Sequence, residues 1–166
     1  MKTFKQKPIT VLGQPLKVGD VAPEFNVVDN KLEAAHLSDF KAKTLVLNVV
    51  PSLDTGVCSL QTRTINQKLA NYPELTVLTL SNDLPFAQRR WCGAEGLNNI
   101  VTLSDYQQLD FAWKYGVHIE ELRLLARSVF VLNQKREVVY VEYLDEMANH
   151  PNYDALFQFL DAYLSK

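Results

Sequence analysis

The sequence predicts an α/β fold: a mixed central sheet flanked by helices, with a β-hairpin near the N-terminal end. Three observations predict it. From Thr44 onward, apolar runs of strand length alternate with helix-length segments, the pattern of a sheet with crossover helices. The last two strand candidates, 128–132 and 137–143, are joined only by Asn133-Gln134-Lys135-Arg136. That link is too short for parallel neighbours, so an antiparallel edge hairpin is expected. Finally, Tyr153, Leu156, Phe157, Leu160 and Leu164 follow Asn152 at helical spacing, which marks a capped amphipathic helix whose apolar stripe faces the sheet.

The elements follow in order. Residues 9–12 and 16–18 flank Gly13-Gln14-Pro15, a turn signal, and read as the hairpin. Val21-Ala22-Pro23-Glu24-Phe25 leads into a short strand over 25–28. Asp29-Asn30-Lys31 is a turn, and His36-Leu37-Ser38-Asp39-Phe40 a short helical turn. Residues 44–50 are apolar on both faces except at Asn48, as a central parallel strand should be. A helix over 59–70 follows and is stopped by Tyr72-Pro73-Glu74; residues 75–80 form the next buried strand. Ser81-Asn82-Asp83 can cap a helix that starts near Leu84-Pro85, runs towards Cys92 and stops at Gly93. A short strand over 100–103 and a helix over 108–115, ended by Gly116, precede the terminal hairpin and helix. This order matches a thioredoxin-like architecture better than a doubly wound nucleotide-binding fold. No repeat or linker divides the chain, so one domain over 1–166 is expected.

Composition excludes several classes. Of 166 residues, 47% are apolar and 22% charged, with a formal net charge of −2, ordinary values for a soluble globular protein. No basic block points to nucleic acid or an anionic membrane as partner. Met1-Lys2-Thr3-Phe4-Lys5-Gln6-Lys7-Pro8 lacks the apolar core of a secretory signal. No apolar run approaches the ~20 residues of a membrane span. A cytoplasmic location is expected. Two cysteines are too few for a disulfide scaffold, and in a reducing compartment a functional pair would be catalytic or redox-sensing.

The chemistry concentrates in Pro51-Ser52-Leu53-Asp54-Thr55-Gly56-Val57-Cys58. Cys58 lies where a strand hands over to a helix N-terminus. Unpaired backbone N–H groups and the positive end of the helix dipole stabilise a thiolate there, the reactive form of cysteine. Thr55 is three residues earlier, on the same helical face, and its hydroxyl can donate to the sulfur. Pro51 fixes the chain after the strand and can wall the pocket. A partly buried thiolate calls for a counter-charge. Arg127, at the start of the strand over 128–132, is the choice, with Arg63 and Arg123 as rivals that spacing does not exclude; Arg63, five residues along the same helix, faces elsewhere. Cys92, at a predicted helix end beside Gly93 and Gly96, sits where fraying is cheap. Spacing leaves it equally an inert or a resolving thiol. The three histidines, His36, His118 and His150, lack metal-ligand spacing and read as surface or loop residues. Trp91 reads as packing, and Phe111, Trp113 and Tyr115 as core and helix surface.

Pro51-x-x-x-Thr55-x-x-Cys58 matches the active-site motif of the peroxiredoxins. Asp54-Thr55-Gly56-Val57-Cys58, Asp83-Leu84-Pro85-Phe86-Ala87-Gln88 and Cys92-Gly93-Ala94-Glu95-Gly96-Leu97-Asn98-Asn99 closely resemble the bacterial thiol peroxidase subfamily. The N-terminal hairpin and Ala126-Arg127-Ser128-Val129 also fit, so the resemblance covers nearly the whole chain. It implies a thioredoxin-like (peroxiredoxin) fold and an atypical two-cysteine enzyme. Cys58 would be the peroxidatic cysteine, Pro51, Thr55 and Arg127 its pocket, and Cys92 the resolving cysteine of the same subunit. Implied too are alkyl and lipid hydroperoxides, favoured over hydrogen peroxide, as substrates, thioredoxin as reductant, a homodimer, and no metal or organic cofactor. One departure stands out: Val117-His118-Ile119-Glu120-Glu121-Leu122-Arg123-Leu124 is shorter and more charged than the family's usual loop, which bears on the pocket rim. Two other classes compete. One is a redox relay that passes the same oxidised sulfur to a partner protein. The other is a thioredoxin-like binding domain with structural thiols. Cys92, an internal route to turnover, favours the enzyme.

Overall fold

The computed structural model describes residues 1–96 and 100–165. In chain order the elements are β1 (Lys2–Phe4), β2 (Lys7–Ile9), β3 (Val11–Leu12), β4 (Asn26–Val28), β5 (Ala34–His36), a 3-10 turn (Leu37–Asp39), β6 (Thr44–Val49), α1 (Gly56–Leu69), β7 (Leu75–Ser81), α2 (Pro85–Ala94), β8 (Val101–Ser104), α3 (Asp110–Lys114), β9 (His118–Ile119), β10 (Leu124–Leu125), β11 (Ser128–Leu132), β12 (Val138–Tyr143) and α4 (Tyr153–Leu164). Seven strands form the main sheet in the order β12-β11-β6-β7-β8-β4-β5. β6, β7 and β8 run parallel, and every other neighbouring pair is antiparallel. This is the mixed sheet with an antiparallel edge hairpin that the sequence predicts.

Side-chain alternation sorts the sheet into two faces. Leu45, Leu47, Leu78, Leu80, Leu103, Phe130 and Leu132 join Phe25, Phe111 and Tyr115 in the larger core, where Phe111 and Tyr115 stack at 4.1 Å. Val46, Val77, Val129 and Val131 face the other way, against Ile65 and Leu69 of α1 and Leu156 and Leu160 of α4. α2 lies beside α1: Trp91 Nε1 donates to Ser59 Oγ at 3.1 Å, and Arg63 pairs with Glu95 at 3.4 Å. Among the described residues no helix is long and apolar enough to cross a membrane.

The hairpin lies further towards the N-terminus than expected. β1 and β2 pair from Lys2↔Ile9 to Phe4↔Lys7 around Lys5-Gln6, both at positive φ (51° and 67°), as a two-residue turn of the I′ kind requires. Neither residue is a usual choice there. The turn is held by Glu146, whose carboxylate accepts from Lys5 N at 3.2 Å, Gln6 N at 2.6 Å and Thr3 Oγ1 at 3.1 Å. Gly13-Gln14-Pro15 is instead a docking turn against the end of α3. Gln14 N donates to Trp113 O at 2.9 Å, and a Cβ on Gly13 would sit 2.6 Å from that same oxygen. Gly116, at φ +71°, has the matching constraint: its Cβ would lie 2.6 Å from Pro15 Cα and N.

Other boundaries move for local reasons. α1 starts at Gly56, three residues before the expected start, because Thr55 adopts extended angles and takes the N-cap position. α2 passes through Gly93 to Ala94, and the reversal falls to Gly96 at φ +68°. Ser81, Asn82 and Asp83 do not cap α2. Its N-cap is Leu84, with no side-chain bond, and the Ser81 and Asp83 side chains bind elsewhere. α3 is shorter than 108–115, because Leu109 is left-handed at φ 54° and Asp110 opens the helix. β5, β9 and β10, of two or three residues each, carry too little periodicity to read. The expected surface position of His118 is wrong: it lies in β9, is only 5% exposed, and packs with Trp113 at 5.0 Å. Leu97, Asn98 and Asn99 of the third resembling segment lie outside the described residues.

Candidate active site

The parallel strands β6, β7 and β8 end on one side of the sheet, and the candidate residues gather there. β6 leads through Val50 into a buried Pro51, whose ring removes one N–H and fixes φ. The chain then turns tightly: Ser52 O accepts from Thr55 N at 3.3 Å and from Thr55 Oγ1 at 3.1 Å. Ser59 N donates to Thr55 O at 2.9 Å. The amides of Gly56, Val57 and Cys58 therefore precede the helical ladder, with the positive end of the α1 dipole. Cys58 is the third helical residue and is fully buried.

Arg127 meets it from the start of β11. Its Nη2 is 3.1 Å from Cys58 Sγ. Nη1 donates to Gln61 Oε1 at 2.8 Å, and Nε to Met147 O at 2.8 Å. Arg127 is 2% exposed. Among the described residues it pairs with no carboxylate. A buried, permanently charged group without an anion is costly, and among the described residues the ionisable group that it touches is Cys58 sulfur. Neither rival arginine serves: Arg63 pairs with Glu95, and Arg123 is exposed, its carbonyl accepting from Asn82 Nδ2 at 2.6 Å.

Thr55 corrects one expectation. Its hydroxyl proton goes to Ser52 O rather than to the sulfur, the same carbonyl that its amide bonds in the turn. The Thr55 oxygen lone pairs remain free for an incoming O–H.

Behind the sulfur runs a buried polar chain that sequence reasoning missed. Arginine only donates, so Gln61 must turn its oxygen towards it. Gln61 Nε2 then donates to Asn48 Oδ1 at 2.6 Å. Asn48 Nδ2 donates to Thr62 Oγ1 at 3.0 Å and Thr79 Oγ1 at 3.2 Å, and Thr62 Oγ1 to Cys58 O at 2.9 Å. Two signals could have found it: Asn48 interrupts an apolar strand, and Gln61 is three residues beyond Cys58, on the same helical face. Met147, which gives Arg127 its carbonyl and also accepts Arg127 N–H through Sδ at 3.1 Å, carries no sequence signal. Tyr153 borders the same region. Burial pushes its hydroxyl up to about 12, opposed by the Arg127 charge and reinforced by Cys58.

Cys92 lies near the end of α2, 8% exposed. It shares an apolar cluster with Val50, Leu53, Cys58 and Trp91, packed by Ile100; both thiols are free. Its sulfur is 4.0 Å from Thr102 Oγ1, whose own proton goes to Asn30 Oδ1 at 2.9 Å. Thr102 is thus left to accept, and the contact suits a neutral S–H. Burial pushes the Cys92 thiol above its ordinary range. Residues 117–124 form the small β9–β10 hairpin, Leu124↔Ile119. Val117 and Ile119 are buried, and Glu120, Glu121, Leu122 and Arg123 are exposed.

Compared with known proteins, the chain matches the Redoxin family profile over residues 17–157. A thiol peroxidase of Oceanobacillus iheyensis is 55% identical over 159 residues, 96% of this chain and 97% of that protein. One from Bacillus subtilis is 53% identical over 152 residues, 92% and 91% of the two chains. Among solved structures, a peroxiredoxin-like protein from Aquifex aeolicus superposes with a TM-score of 0.89 at 37% identity, covering 97% of this chain and 95% of that one. A thiol peroxidase from Chromobacterium violaceum reaches 0.90 at 24% identity, with 98% and 96% covered, a likeness of fold.

Proposed function

The chain belongs to the redoxin family and is a peroxidase oxidoreductase of the thiol peroxidase kind, and we propose that it reduces hydroperoxides through Cys58 sulfenic acid, resolved by Cys92. The observation that carries this reading is the buried Arg127 Nη2 at 3.1 Å from Cys58 Sγ, with no carboxylate paired to it among the described residues.

The Cys58 thiolate attacks the terminal oxygen of the hydroperoxide. An S–O bond forms, the O–O bond breaks, and the departing alkoxide or hydroxide takes a proton from water. The hydroxyl of the attacked oxygen stays on sulfur. Thr55 Oγ accepts the peroxide O–H. Arg127 and the first α1 amides stabilise the charge that moves from sulfur to the leaving oxygen, fixed dipoles aimed where charge develops. Pro51 walls the pocket. Cys92 sulfur then attacks Cys58–S–OH, an S–S bond forms, and water leaves. The free thiols and the shared apolar cluster support this pairing. Because Cys92 is buried and held by Thr102, the end of α2 must open for it to reach Cys58.

Thioredoxin, by dithiol exchange, is the reductant in this reading. Alkyl and lipid hydroperoxides, with hydrogen peroxide, are the substrates. A cytoplasmic homodimer of one domain over 1–166 completes it, with no cofactor. The test is peroxide consumption coupled to thioredoxin and its reductase, which should vanish in Cys58→Ser. Wild type that turns over once only would sink the enzyme reading. Intact mass after one equivalent of peroxide should show loss of two hydrogens linking Cys58 to Cys92; a stable one-oxygen adduct would remove Cys92 from the cycle.

A further inference from the structure

Asp83 reaches across the ends of three strands to the loop that carries Thr55. It follows β7 and is held from below: its N–H donates to Ser81 Oγ at 3.3 Å, and its carbonyl accepts from Ser104 Oγ, at the end of β8, at 2.5 Å. Its carboxylate takes three donors and no basic side chain among the described residues. Ser52 Oγ binds Oδ1 at 2.7 Å. Leu53 N binds Oδ2 at 2.7 Å, and Ser81 Oγ shares that oxygen at 2.8 Å. Two of the three donors belong to the loop after β6. That loop is otherwise tied within itself: Ser52 Oγ accepts from Asp54 N at 3.2 Å, and the Ser52 carbonyl holds both the amide and the hydroxyl of Thr55.

The carboxylate therefore fixes the residue that fixes Thr55. We propose that Asp83 is a positioning residue for the peroxide pocket: by holding Ser52 and Leu53, it sets where the Thr55 oxygen stands beside Cys58. The role needs a hydrogen-bond partner at each of two points, 2.7 Å from Ser52 Oγ and from Leu53 N, not charge. An amide keeps an oxygen for Leu53 N, which can only donate, and offers its NH₂ to Ser52 Oγ, which can accept. Alanine keeps neither. This inference rests on the peroxide-holding role proposed for Thr55.

The test compares two reagents on Cys58. Hydrogen peroxide uses Thr55; iodoacetamide needs the thiolate but not a held peroxide. In Asp83→Ala, the second-order rate of Cys58 oxidation is expected to fall about tenfold to a hundredfold, the scale of a misplaced reacting group. Alkylation by iodoacetamide should stay within about threefold, since Arg127 and the α1 amides are untouched. Asp83→Asn should stay within about threefold of wild type for both reagents, because its amide still offers a partner to Leu53 N and, with the bond reversed, to Ser52 Oγ. If Asp83→Ala does not fold, Ser52→Gly carries the test from the loop side. It removes one clamp and frees the backbone, and should show the same peroxide-selective loss, of at least about threefold. Equal losses for both reagents, no loss, or an Asp83→Asn as slow as Asp83→Ala would each overturn the proposal. A wild type inert to peroxide would instead overturn the functional reading on which it rests.

Discussion

Arg127→Lys keeps the positive charge and removes the fork. Three acceptors surround the guanidinium: Cys58 Sγ at 3.1 Å, Gln61 Oε1 at 2.8 Å and Met147 O at 2.8 Å, each met by a different nitrogen. A lysine ammonium is one point on a flexible stem and cannot meet all three in that plane. Losing a preorganised donor at the reacting atoms costs about 2.7–4 kcal/mol of transition-state stabilisation. At 1.36 kcal/mol per decade, that is roughly a hundredfold to a thousandfold in rate. The two remaining bonds hold a buried cation, and their loss should lower folding stability by about 2–4 kcal/mol, a large share of a typical 5–15. The assay is stopped-flow oxidation by hydrogen peroxide, followed through Trp91, which packs in the same cluster as both cysteines. A lysine variant that oxidises within threefold of wild type would refute the fork argument and leave charge alone as the cause.

Three further outcomes follow from the same structure. Burial pushes the Asp105 carboxyl up to about 7, against the Phe111 and Ala112 amides, which pull it down. The native state then binds the extra proton between about pH 4 and 7, so stability should fall as pH rises through that window, by at most about 4 kcal/mol; urea midpoints that rise instead would contradict this, and Asp105→Asn should flatten the slope. Because burial raises the Cys92 thiol above its ordinary range, disulfide formation, read as the slow phase after sulfenic acid forms, should still be accelerating at pH 9; a plateau near pH 7 would show that Cys92 is released and solvated first. Gly116→Ala would place a Cβ 2.6 Å from the Pro15 backbone at φ +71°, and should lose about 2 kcal/mol or more in denaturant melts.

Much of the site was legible because its chemistry is local in sequence. Pro51, Thr55 and Cys58 fall within one strand-to-helix turn, and a helix N-terminus has the same electrostatics wherever it occurs. Arg127 was legible from its place at a strand start, though only the folded register of β11 against β6, Ser128↔Val49, separates it from Arg63 and Arg123. Hydrogen-bond direction was less legible. Thr55 and Cys58 share a helical spacing, but the tight turn hands the Thr55 hydroxyl proton to the Ser52 carbonyl. Asp83 looked like a helix cap because its residue type and position suit one; its carboxylate instead crosses to the neighbouring strand's loop, a contact between residues 30 positions apart. The N-terminal hairpin was displaced for a similar reason. Lys5-Gln6 is a poor turn by local preference, and Glu146, 140 residues away, stabilises it.

That distant glutamate makes the site depend on segments from both ends of the sequence. Glu146 clasps the β1–β2 turn, and the next residue, Met147, donates its N–H to Thr3 O and offers carbonyl and sulfur to Arg127. The guanidinium is thus aimed by a segment that is itself moored to the first hairpin. Cys58, Thr55 and α1 are brought together by short-range contacts, but the counter-charge is set only when strands from both ends of the sequence have met. The reactive pair is therefore complete only while the first hairpin and the segment after β12 remain clasped, far from it in sequence.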